Sequence, residues 1–93
     1  MYSLGESWRK NFGGIADLND VPLKEARYCG YGSYTNTPWG ASAYPFLLDV
    51  ESYYLSGNYI TKQTITSGYD GKTYIRRYST VSGTEGWSAW KEI

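Results

Sequence analysis

Histidine is absent from these 93 residues, and cysteine occurs once, at Cys29. Without an imidazole the chain cannot build a histidine-based catalyst or a zinc finger, and with one thiol it cannot close an intrachain disulfide. Nine basic side chains balance nine acidic ones, so the positive field that nucleic acids and anionic surfaces select for is missing. Neutral partners are expected and nucleic acid is not. No apolar run is long enough for a leader or a membrane span, so neither secretion by a signal peptide nor membrane insertion is expected. No cofactor is expected either. Asp17, Asn19 and Asp20 cluster, but two Asp and one Asn without further ligands fall short of a calcium loop, and no metal is assigned.

What the chain does have is rings with a polar edge: eleven Tyr and four Trp against two Phe. Such rings are enriched at interfaces, and their apolar faces suit the C–H faces of sugars. Strands also favour aromatics for packing, so core and surface compete for them. The length fits one domain, near the size at which a single hydrophobic core suffices.

Leu4, Trp8 and Phe12 recur every four residues and line one side of a helix over residues 3–12, with Ser3 and Glu6 as a capping box and Gly13-Gly14 as its end. A helix this short needs support, either from the domain or from equivalent segments of other subunits in an oligomeric stem. Residues 17–22 read as a turn. Over residues 24–34, Ala26, Tyr28 and Tyr34 share one parity and Cys29 and Tyr31 the other, with Gly30 and Gly32 marking a bulge or a close backbone approach. Cys29 then reads as a small buried hydrophobe. Residues 35–43 form a loop whose Trp39 either folds back over the core or points outward as a contact.

Residues 44–54 make the strongest strand, with Phe46, Leu48 and Val50 on one side and Leu47, Asp49 and Glu51 on the other. Leu55-Ser56-Gly57-Asn58 connects it tightly to an antiparallel strand over residues 59–66. After a turn at residues 67–71, a strand over residues 72–80 sets Tyr74, Arg76 and Tyr78 on one face, with Lys62 and Gln63 of the preceding strand adding polar groups. In a last strand over residues 87–93, Trp87 and Trp90 have opposite parity, so one tryptophan at most enters the main core. The expected fold is all-β: a small antiparallel sheet, sandwich-like or strongly twisted, over residues 15–93, preceded by a helical or extended segment over residues 1–14.

The order of these motifs resembles the pyocin-knob type of domain. The likeness rests on Asp17-Leu18-Asn19-Asp20, the glycine-interrupted strand, the loop with Pro38 and Trp39, the apolar strand, Gln63-Thr64, Gly71-Lys72-Thr73-Tyr74-Ile75-Arg76, and Trp87-Ser88-Ala89-Trp90-Lys91. Such domains occur in the tail fibres of R-type pyocins and in the receptor-binding proteins of bacteriophages and prophages. The resemblance implies a compact β domain in a fibre, usually a homotrimer, that contacts the bacterial surface, with envelope carbohydrate as the receptor class. It also makes residues 1–14 a candidate end of a fibre stem.

Three functions follow. In a non-enzymatic binder, Trp39, Tyr54, Tyr74 and Trp90 stack on sugar faces while Arg76 or Arg77, with Lys62, Asp49 and Glu51, supplies directional hydrogen bonds. In a spacer or trimerisation domain the rings vanish between subunits. A glycan-degrading enzyme needs two carboxylates across a bond and a cleft; Asp49 and Glu51 are the only such pair on one strand face, and so small a domain predicts no cleft.

Overall fold

The computed structural model describes residues 10–12 and 15–93. Four strands form an antiparallel meander: β2 (Ala26–Gly32), β3 (Tyr44–Leu55), β4 (Asn58–Ser67) and β5 (Thr73–Ser79). β1 (Lys10–Asn11) lies parallel beside β2, and β6 (Gly86–Trp87) and β7 (Lys91–Glu92) both pair with β5. The β3–β4 turn is tight because Ser56 and Gly57 both adopt positive φ, 55° and 82°, the type I′ geometry whose twist matches its flanking strands.

The alternation expected in β3 holds, and the register carries it across the sheet. Tyr28, Leu48, Ile65 and Tyr74 stand in one row, and Ala26, Val50, Gln63 and Arg76 in the next. This inner face is covered by Phe12, by Leu18 and Val21 around a 3₁₀ turn (Leu18–Asp20) that Asp17 caps, and by Tyr34, Trp39 and Trp90. The opposite face carries Arg27, Leu47, Glu51, Lys62, Thr64 and Ile75 and has no second layer among the described residues. The fold is therefore one open, mostly antiparallel sheet rather than two packed sheets. Gly30 is where the inner face is tightest: a Cβ there would lie 2.8 Å from Phe46 Cζ and 3.0 Å from Phe12 Cβ, so the glycine marks a close approach.

Three expectations need correcting. Lys10 and Asn11 are strand rather than the end of a helix, and residues 3–9 lie outside the described residues. Phe12 enters the core edge-to-face with Tyr28, Tyr34 and Phe46, so the packed domain takes in residues before position 15. Cys29 is half-buried on the uncovered face, directly opposite Leu47, because its parity is the reverse of Tyr28's.

The third correction concerns the last strand, which is broken. Trp87 faces Tyr78 and Lys91 faces Ile75, while Ser88 N–H donates to the Arg77 carbonyl at 2.8 Å. Ala89 and Trp90 are thus left together opposite Arg76. This two-against-one arrangement is a β-bulge, which shifts the alternation by one residue. It returns Trp90 to the same face as Trp87, so both indoles lie over the inner side of the sheet.

Candidate functional site

Two of the candidate contact residues build an internal network. Arg76 is 6% exposed; its Nε donates to Gln63 Oε1 at 2.9 Å, and Gln63 Nε2 donates to the Leu18 carbonyl at 3.0 Å. The guanidinium carbon lies 3.8 Å from the Trp87 ring centroid and 4.6 Å from that of Trp90, so the planar cation is held by two indoles. Trp90 Nε1 donates to the Asn36 carbonyl, Asn36 Nδ2 to Asp17 Oδ1, and Asn19 N–H to the same oxygen, each at 2.8 Å. The Asn36 bond, the Asn19 amide and the Arg76 charge hold the Asp17 carboxyl below its ordinary value, against the pull of burial. Burial brings the Arg76 guanidinium down to about 10, opposed by the charge of Asp17, and at neutral pH it stays charged. Arg76 and Gln63 are therefore not surface groups offered to a ligand, and Trp90 is tied to the loop it covers.

A different set of rings meets at the corner where the loop over residues 33–43 adjoins the β4–β5 turn. Trp39 folds back against the core and sits 6.2 Å from Tyr74, 6.3 Å from Phe46 and 5.3 Å from Tyr44, centroid to centroid. Tyr44 in turn stacks on Tyr69 at 4.8 Å with the planes 13° apart. Tyr69 is 72% exposed, while Tyr44, Trp39 and Tyr74 behind it are half-buried. The corner is a graded stack, from the core outward to a bare ring.

Local chemistry fixes both loops. In the β4–β5 turn, Ser67 Oγ accepts from Tyr69 N–H at 3.0 Å, Asp70 Oδ1 accepts from Lys72 N–H at 3.1 Å, and Gly68 N–H donates to the Pro45 carbonyl at 2.7 Å. The Tyr69 backbone is thus pinned to β3, the strand that carries Tyr44. In the other loop Thr37 Oγ1 donates to the Gly40 carbonyl and Ser33 Oγ to the Ala41 carbonyl, which frame Trp39. Rings held in this way offer area to a ligand at little entropic cost.

Tyr54 belongs to neither group. It is exposed and pairs with Tyr59 at 4.7 Å near the β3–β4 turn, ten residues along β3 from Tyr44 and so roughly 33 Å away. The five expected contacts therefore divide into Trp39 with Tyr74, Arg76 with Trp90, and Tyr54 alone. Tyr44 and Tyr69 escaped the sequence reading; the available signal was a large ring within the small and polar turn residues 67–71, the same oddity that drew attention to Trp39.

The carboxylates of Asp49 and Glu51 do share one face, beside an open depression of about 390 Å³ that Glu25, Arg27 and Thr64 also line. Each stands opposite a cation: Arg27 faces Asp49 across β2–β3, and Lys62 Nζ lies 2.7 Å from Glu51 Oε1. Such cross-strand pairing is the ordinary arrangement of a solvated sheet face. No protein family model matches the chain, and no curated protein or solved structure matches it either.

Proposed function

We propose that this domain is a non-enzymatic binding knob of a bacteriophage or pyocin-like tail fibre, and that it rests on carbohydrate of the bacterial surface through the corner of Tyr69, Tyr44, Trp39 and Tyr74. The observation that carries the reading is the Tyr44–Tyr69 stack, whose outer ring is exposed on a turn pinned to β3. A flat, immobilised ring backed by further rings is complementary to the C–H face of a pyranose, and Asp70 beside it supplies a hydrogen-bond acceptor. The order of motifs from Asp17-Leu18 to Trp87-Ser88-Ala89-Trp90 supports the tail-fibre setting. The pairing of Asp49 and Glu51 with cations favours binding over hydrolysis.

The test is glycan-array and whole-cell binding by the full chain and by Tyr69→Ala. The variant removes an exposed ring, so its circular dichroism and urea midpoint stay at wild-type values while affinity falls about tenfold or more, about 1.4 kcal/mol. Undiminished binding by the folded variant would exclude the corner, and no binding by the parent chain to glycans or cells would exclude the function.

A further inference from the structure

The β3–β4 hairpin runs beyond the rest of the sheet. β2 ends where Ala26 meets Val50, so residues 51–55 have β4 on one side and, among the described residues, no strand on the other. Which peptide groups face that open edge follows from the ladder. Gly68 N–H donates to the Pro45 carbonyl, so Pro45 points its carbonyl toward β4. Successive residues of a strand alternate sides, and the β3–β4 register is unbroken from Phe46 to Leu55. Ser52 and Tyr54 therefore aim both N–H and C=O outward. The side chains around them are apolar on both faces of the ribbon: Tyr54 and Tyr59 on one, Tyr53 and Ile60 on the other, with Leu55 at the turn, all exposed. From Ser52 to Thr61 no residue is charged. Sheets ordinarily protect such an edge with lysine, proline or a bulge, and this one has none of them.

The geometry points to a second copy of this chain as the occupant, with residues 51–55 of the two copies pairing antiparallel about a twofold axis. Outward N–H and C=O groups are matched by an extended strand, which neither a lipid surface nor a sugar supplies. An antiparallel pairing of identical edges is self-complementary, so each copy gives the other the partner it lacks. Glu51, the one charged residue of the stretch, is already neutralised by Lys62 at 2.7 Å, so two copies approach without opposed bare charges. Tyr53 and Tyr54 point to opposite faces and extend ring packing over both sides of the joined sheet. Two edges this short bury far less than the roughly 1,200 Å² of a standard interface, so the dimer forms only at tens to hundreds of micromolar.

Sedimentation equilibrium of the full chain across that range, with residue-resolved amide exchange, tests the pairing. The expected result is a monomer–dimer equilibrium in which the Ser52 and Tyr54 amides exchange more slowly as concentration rises. Tyr54→Lys, which places a charge on the edge, weakens the dimer at least tenfold and leaves the circular dichroism spectrum unchanged. A chain that stays monomeric throughout, a trimer, or a dimer indifferent to Tyr54→Lys would each overturn the proposal. So would Ser52 and Tyr54 amides already protected in the monomer, which would mean that the chain covers its own edge.

Discussion

Arg76 brings a full charge under the cover of the inner face, and its surroundings suit a guanidinium in particular. The plate lies against two indoles while Nε reaches Gln63, which in turn holds the carbonyl of Leu18. A lysine at this position keeps the charge but presents a compact, strongly hydrated ammonium that neither stacks nor holds Gln63 in the same geometry. Arg76→Lys is expected to cost about 1–3 kcal/mol, and Arg76→Ala about 3–5 kcal/mol because it also strands Gln63 Oε1 and opens a gap between the indoles. Urea unfolding followed by tryptophan fluorescence reads both; a lysine variant as stable as the parent would sink the stacking account. Asp17 adds a pH dependence whose sign is fixed by the direction of its shift. Its folded-state carboxyl sits below the ordinary 3.8, so its contribution is fully present above that value and is lost as pH falls through the depressed one. The urea midpoint of the parent should therefore exceed that of Asp17→Asn at neutral pH, with the gap closing between about pH 4 and pH 2.

At the scale of the elements, the bulge at Ala89-Trp90 decides where the network's second indole goes. Deleting Ala89 would restore a regular ladder in which Trp90 alone faces Arg76, on the inner side. The deletion variant is therefore expected to fold, to retain the near-ultraviolet circular dichroism of its buried indoles, and to lose only about 1–2 kcal/mol. Loss of the tertiary signal would show that the extra residue is needed for more than direction. Counting parity located β3, β4 and β5 to within a residue or two, because apolar and polar side chains alternate there without interruption. The same counting set Trp90 opposite Trp87, since a bulge leaves no mark in the amino-acid pattern. Cys29 was misjudged by residue type, although its parity against Tyr28 already put it on the outer face. The corner was half legible. Trp39 stood out as a large ring in a polar loop, but the Tyr44–Tyr69 contact joins a strand to a distant turn and depends on Gly68 packing against Pro45, which no periodicity encodes.

For the molecule as a whole, stability rests on one side of one sheet. Eight buried apolar residues form the core, all on or over the inner face, while the outer face is built of threonines, cross-strand ion pairs and scattered aliphatics. Ile65 and Ile75 make the sharpest comparison. They lie on adjacent central strands, and Ile65 faces Tyr74 where Ile75 faces Thr64, so their side chains point to opposite faces. Ile65 is fully buried, whereas Ile75 is half-buried on the uncovered side. Ile65→Ala leaves a cavity in a close-packed layer and is expected to cost about 2–5 kcal/mol, a large share of the roughly 5–15 kcal/mol that a domain possesses. Ile75→Ala removes methyl groups that already touch water and is expected to cost about 1 kcal/mol or less. Equilibrium urea unfolding of the two variants at low protein concentration measures the difference directly. Equal losses would mean that the outer face is packed as tightly as the inner one and that the sheet has a second core, whereas a gap of about 2 kcal/mol or more is the energetic signature of a single covered face.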